Sequence, residues 1–417
     1  MTFSELTKLW ARIGCLSFGG PAGQIALMHR EVIEKRELVS EKEFLSALNF
    51  CMFLPGPEAQ QLAIYLGWRQ RGIWGGVISG TLFIIPGALV MFALATLYAL
   101  FGEVPLVASL FWGIKAAVLA IVLEALLRVA KRALKSNMDY VVAALAFVAI
   151  FAFNVPFPLV VILAALSGAI GAPAATEKVA LPDWRPVMKQ AVLWLAVWLA
   201  PLGVLNLAVP GSVFALLGNF FARLSVVTFG GAYSVLAYMG QDVVEHRHWL
   251  TAGQMIDGLG LAETTPGPLI LVGQFVGFLA ASNATAALWA GFLGGLIFLW
   301  MSFAPCFLWV FVGAPYLNYI QSNPRLAKAL SRVTAAVVGV ILNLSVWFGL
   351  HVIFGRVQRA SGPMPIWWPD FGTIDTAALV LTILAGVALL YAKWGMVRVL
   401  ALAATLGIIW KSLIPIL

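Results

Sequence analysis

Residues 54–63 read Leu-Pro-Gly-Pro-Glu-Ala-Gln-Gln-Leu-Ala, in the middle of an apolar window that runs from 44 to 68. About 20 apolar residues suffice to cross a bilayer as one helix. Here the helix has to break, because proline lacks an amide proton and clashes with the preceding turn, while glycine adds backbone freedom. Pro55, Gly56 and Pro57 should end one half-helix and start another, with Pro57 near the first helical position. The new half-helix would present its amide ends and positive dipole at mid-membrane depth, where they attract anions. A single motif of this kind is also read simply as a structural kink.

The motif occurs twice. Thr265-Pro266-Gly267-Pro268 follows it at an offset of 211 residues. At the same offset Ser17-Phe18-Gly19-Gly20 matches Thr228-Phe229-Gly230-Gly231, Arg12 matches Arg223, and Glu34 matches Glu245. Beyond an insertion near 282–289 the offset becomes 219, and Lys115-Ala116-Ala117-Val118 then matches Thr334-Ala335-Ala336-Val337. The chain is two copies of one unit. The expected domains are a first repeat at 1–175, a linker with a connecting helix at 176–211, and a second repeat at 212–417.

Composition sets the class. The 417 residues are 62% hydrophobic and 11% charged, with a mean hydropathy of +0.95. Soluble domains carry about 25% charged residues, so a cytosolic enzyme, a nucleic-acid binder and a disulfide scaffold are excluded. The expected fold is an all-α polytopic membrane protein of about thirteen spans, with broken or re-entrant helices at the Pro-Gly-Pro and Phe-Gly-Gly motifs. The short windows 139–154 and 157–172 are read as two thin spans or one re-entrant hairpin. The net charge of +8 is spread over short loops. With the N-terminus cytoplasmic, most Lys and Arg fall inside, notably Arg128, Lys131, Arg132, Lys135, Arg185 and Lys189. That favours N-in, C-out. Seven crossings separate the starts of the copies, so they should face opposite ways, as in carriers built from inverted repeats with a site at the repeat interface.

Several side chains are candidates for such a site. Lys115 stands mid-window at 106–127 with no acidic residue within one turn; a charge at that depth costs about 2.5–3.5 kcal/mol and tends to face a cavity or partner. Arg12 and Arg223 precede the Phe-Gly-Gly breaks, and a guanidinium grips a tetrahedral oxyanion with two parallel bonds; snorkelling to the interface is the competing role. Gly19, Gly20, Gly230 and Gly231 break the first window of each copy or serve tight helix packing. Gln60 is placed to donate to an anion one turn past the break, although the second copy has Leu271 there. Glu58 and Glu263 flank the two breaks and are candidates for carrying a proton, with helix capping as the competing role. The glycines at 72, 76, 80, 291 and 295 are assigned to helix packing. No metal-ligand cluster, nucleophile–base set or nucleotide motif occurs, so neither cofactor nor enzyme is expected.

The segments Phe-Gly-Gly-Pro-Ala-Gly-Gln-Ile at 18–25, Leu-Pro-Gly-Pro-Glu-Ala-Gln-Gln-Leu-Ala at 54–63, Phe-Gly-Gly-Ala-Tyr at 229–233 and Thr-Pro-Gly-Pro at 265–268 resemble the chromate ion transporter family in its two-domain long form. The resemblance covers essentially the whole chain. It implies efflux of chromate, a tetrahedral dianion shaped like sulfate, across a bacterial-type cytoplasmic membrane, with chromate resistance as the outcome. Sulfate or a related oxyanion, moved by an uptake carrier or a channel on the same scaffold, is the alternative. The expected partners are the oxyanion and the lipid bilayer; nucleic acid is excluded, and a homodimer is admitted.

Overall fold

The computed structural model describes residues 1–170, 183–229, 232–360 and 364–413. They form seventeen α-helices and one short β-hairpin. The first copy contributes α1 (Phe3–Leu16), α2 (Gly20–His29), α3 (Glu41–Phe53), α4 (Glu58–Phe101), α5 (Pro105–Ala133), α6 (Asn137–Phe151) and α7 (Phe157–Ile170). A connecting helix, α8 (Trp184–Ala208), follows. The second copy contributes α9 (Val213–Val227), α10 (Ala232–Gln241), α11 (Ala252–Thr264), α12 (Val272–Thr285), α13 (Leu288–Gly313), α14 (Leu317–Ser322) and α15 (Pro324–Ile353). The hairpin of β1 (Val357–Arg359) and β2 (Trp367–Pro369) is antiparallel, and α16 (Thr376–Leu390) and α17 (Met396–Leu413) end the described chain.

Six helical stretches among the described residues are long and apolar enough to cross a membrane: α4, α5, α8, Leu288–Tyr316, α15 and α17. Their surroundings must be lipid. Along α8 only Val187 and Trp198 are buried, and Leu207 is 86% exposed. A helix this apolar and this uncovered is not at home in water. The chain is an all-α polytopic membrane protein.

The repeat extends to individual hydrogen bonds. Ser40 caps α3 by accepting from the Glu43 amide at 3.2 Å, and Thr251, 211 residues on, accepts from the Gln254 amide at 3.1 Å. Among the described residues each copy has one π-helical turn, Arg30–Glu34 and Asp242–His246. Behind it the Leu38 amide donates to the Val32 carbonyl at 2.9 Å, and the Trp249 amide to the Val243 carbonyl at 3.0 Å. Glu37 and His248, again 211 apart, both take positive φ, 49° and 53°. An arginine closes each turn, Arg36 onto Glu31 at 2.6 Å and Arg247 onto Asp242 at 2.5 Å.

The chain divides into two compact units, and each draws on both copies. The first comprises Met1–Ala93, Leu166–Val235 and Thr265–Leu330. Within it α4 is not one rod: Arg71 and Gly72 leave helical geometry, with Gly72 at φ 61° and ψ −156°. Only glycine enters that region freely. Gly72 is therefore the turn of a hairpin and not the packing residue its spacing suggests. The two arms meet at glycine, since a Cβ on Gly75 would lie 2.2 Å from the Gly67 carbonyl oxygen. The counterpart hairpin, α12 against α13, closes likewise: a Cβ on Gly294 would lie 2.1 Å from the Gly277 oxygen. Glycines let helix backbones approach where lipid supplies no hydrophobic drive.

The second unit comprises Leu94–Ala165, Leu236–Thr264 and Ser331–Leu417. Here α5 lies against α16 and α17, crossing α17 where a Cβ on Gly113 would sit 2.1 Å from the Ala403 oxygen. The counterpart of α5, α15, meets α6 at Gly339, 2.1 Å from the Ala143 oxygen by the same measure. In both cases a helix of one copy packs on a late helix of the other.

Candidate functional site

Both helix breaks of both copies belong to the first unit. α1 stops at Leu16, and the Ser17 hydroxyl turns back onto the Ile13 carbonyl at 2.6 Å. Gly19 and Gly20 follow at φ 88° and 66°, and Pro21 sits in the first turn of α2, where a missing amide proton costs nothing. Thr228 copies Ser17, its hydroxyl donating to the Leu224 carbonyl at 2.6 Å. α3 stops at Phe53 and α4 starts at Glu58; between them Gly56 has φ 120°. α11 stops at Thr264, Gly267 has φ 95°, and a 3-10 turn, Leu269–Leu271, leads into α12.

The breaks satisfy one another across the copies. The Gly56 amide donates to the Thr228 carbonyl at 2.8 Å, and the Gly267 amide donates to the Ser17 carbonyl at 2.8 Å. Buried backbone groups must find partners, and here each break in one copy completes the break in the other. Side-chain amides reinforce the arrangement. Gln24 Nε2 donates to the Gly267 carbonyl at 2.6 Å, and Gln61 Nε2 donates to the Pro55 carbonyl at 2.7 Å. Packing is crossed as well. Gly56 lies against Cys306 of the second copy and Gly267 against Gly87 of the first, and 87 and 306 correspond at the offset of 219.

These bonds consume the glycine amides themselves. What α4 still offers is its first turn, whose amides precede the first backward bond, from the Gln61 amide to the Pro57 carbonyl at 3.1 Å. Pro57 thus stands one residue ahead of the helix. Beside that turn Gln60 is fully buried, and neither its Nε2 nor its Oε1 has a hydrogen-bond partner. The Oε1 atoms of Gln24, Gln61 and Gln274 are also buried without a partner. Native proteins rarely leave such groups unpaired, because each costs about 1–3 kcal/mol. Gln60 therefore leaves both a donor and an acceptor open to a polar guest in the first turn of α4.

The first unit therefore holds Arg12, Gly19, Gly20, Pro55, Gly56, Pro57, Glu58, Gln60, Arg223, Pro266, Gly267 and Pro268. Arg12 and Arg223 are exposed on α1 and α9. Arg12 lies close enough to Glu31 to act on it electrostatically. Glu58 is half-buried at the head of α4. Gly230 and Gly231 lie outside the described residues. Lys115 and Glu263 belong to the second unit, with Glu263 buried in the last turn of α11.

Lys115 has an acidic partner that its own helix does not reveal. Its Nζ lies 3.3 Å from Oδ2 of Asp257, and the Tyr98 hydroxyl donates to the same oxygen at 2.8 Å. The sequence reading passes over Asp257, though it is a carboxylate inside an apolar window, the same signal that marks Lys115. Outside the spans, the Glu31 carboxyl is held down at about 2: the Lys35 ammonium lowers it most, burial opposes, and Arg36 adds to the lowering.

A family model described as "Chromate transporter" matches residues 4–171 and 215–408. The chain is 33% identical over 351 residues to the chromate transport protein of Pseudomonas aeruginosa, covering 82% of this chain and 80% of that one. It is 30% identical over 358 residues to the probable chromate transport protein of Synechococcus elongatus, covering 85% of each. It is 28% identical over 342 residues to the chromate transport protein of Cupriavidus metallidurans, covering 82% of this chain and 81% of that one. No solved structure matches the chain.

Proposed function

Since the chain belongs to the chromate transporter family, we propose that it is a secondary carrier that exports chromate from the cytoplasm and so confers chromate resistance. Residues 1–175 and 212–417 act as mirror-oriented copies joined by the connecting helix, with thirteen spans and a cytoplasmic N-terminus. Access alternates around an oxyanion held in the first unit. The observation that carries this reading is Gln60, buried with both polar atoms unpaired at the head of α4. Its amide donates to an oxyanion oxygen, and the first-turn amides of α4 add the positive end of the helix dipole. Arg12 and Arg223, exposed on α1 and α9, draw the dianion in from water.

Potential suffices to drive export. Each charge moved across 100 mV is worth about 2.3 kcal/mol, so a dianion gains roughly 4.6 kcal/mol on leaving an inside-negative cell. Sulfate has the same shape and charge and should compete. The test is labelled chromate flux in proteoliposomes under an imposed potential, wild type against Gln60→Leu. Leucine removes an unpaired buried amide, so the variant should melt at the same temperature or higher while flux falls at least tenfold. Undiminished flux would remove Gln60 from the site.

A further inference from the structure

The second unit contains a buried charge cluster that the binding of an anion at Gln60 does not use. Asp257 is 4% exposed and Lys115 is 27% exposed. One oxygen of Asp257, Oδ2, takes both Lys115 and the Tyr98 hydroxyl; the other, Oδ1, is buried with no partner. The ammonium has room because position 253 is glycine: a Cβ there would lie 3.1 Å from Nζ. Lys115 also lines a cavity of about 620 Å³, together with Lys411, His351, Thr376 and Asp375. Asp375 is already committed, with one oxygen accepting from the Ala378 amide at 2.9 Å and the other from the Trp112 indole at 2.9 Å. Lys411 lies 5.2 Å from the Trp112 ring centre. His351 donates Nδ1–H to the Trp347 carbonyl at 2.8 Å. Glu103 acts electrostatically on Tyr98. The cavity thus presents two ammonium groups and a carboxylate that is already satisfied.

We propose that Lys115 exchanges partners during transport, leaving Asp257 for an oxyanion in this cavity while Asp257 takes up one proton. The inference rests on the transport reading above and adds its coupling ion. Asp257 and Lys115 neutralise each other in surroundings where an isolated charge is costly. When a dianion draws the ammonium away, the carboxylate is left uncompensated unless it is protonated. The proton comes from cavity water and settles on a carboxylate oxygen, Oδ1 being the one with no other partner; Tyr98 keeps its bond to Oδ2. No covalent bond between heavy atoms changes. The site exchanges one proton per anion, and the bound state is one unit less negative than the anion alone. Coupling then resides at Asp257 and not at Glu58 or Glu263.

The test uses purified full-length protein in detergent at alkaline pH, where chromate carries both charges. Chromate binding is followed together with proton uptake by a pH dye in weak buffer. Wild type should take up one proton per protein at saturation, whether or not the Gln60 site is also filled. The affinity of the proton-linked binding should fall about tenfold for each unit the pH rises while Asp257 is charged in the empty protein. Asp257→Asn should bind with no proton uptake and a flat pH profile. Binding by wild type without proton uptake would overturn the proposal yet leave chromate transport standing; no chromate binding at all would overturn the transport reading itself. Wild-type proton uptake persisting in Asp257→Asn would also overturn the proposal. If that variant folds poorly, the charge-neutral pair Lys115→Gln with Asp257→Asn serves: it should bind more weakly and take up no proton, and retained uptake would refute the exchange.

Discussion

Gly56 shows how much one residue can decide. Its φ of 120° is closed to residues with a side chain, and a Cβ there would meet Gln61 Nε2 at 2.9 Å and Cys306 Sγ at 3.0 Å. Gly56→Ala should cost about 1–3 kcal/mol in strain and misplace the amide that reaches Thr228. Melting in detergent and chromate flux should both fall; a variant with native melting and native flux would show that the break tolerates a side chain. The Asp257–Lys115 pair shows what a sequence hides at this scale. Neighbours one turn away on a helix can be read from spacing, whereas a partner on another helix 142 positions along the chain cannot. Both residues carried the only local sign available, a charge in an apolar run.

Among elements, the π-turns offer a measurable handle. The Glu31 carboxyl titrates near 2 against an ordinary 4.5, so its pairing with Lys35 and Arg36 stabilises the fold above about pH 4.5 and fades as pH falls toward 2. Its partners are half-exposed, which keeps the contribution to about 1–2 kcal/mol. Glu31→Gln should lower melting at neutral pH and narrow the gap to wild type below pH 4.5; equal melting curves at neutral pH would assign the pair no role. Helices were legible here because long apolar windows and proline–glycine punctuation are local signals. Gly72 was harder, since a four-residue glycine spacing suits packing, and only the meeting of Gly67 with Gly75 reveals a turn. The hairpin at Val357–Pro369 gave no apolar run to mark it.

At the scale of the whole molecule, the proposed opposite orientation of the copies makes a sharp prediction. Glu37 and His248 are exposed, correspond at 211 residues and share a positive φ. In a background lacking Cys15, Cys51 and Cys306, Glu37→Cys should react with an impermeant maleimide from outside the cell. His248→Cys should react only after the membrane is opened. Labelling of both from one side would mean that the copies face the same way. The repeat itself was visible in the sequence, because matched motifs at a fixed offset survive divergence. Which copy bonds to which was not, because that depends on how distant segments meet.

The crossed bonds, Gly56 to Thr228 and Gly267 to Ser17, have a genetic corollary. Neither half of the polypeptide can finish its own fracture, so fragments 1–175 and 176–417 should be inert when made singly and should recover chromate transport when synthesised in the same cell. Fusion into one polypeptide guarantees equal supply of two complementary parts. It also frees them to differ, as where one half keeps the amide of Gln60 and the other has settled on Leu271.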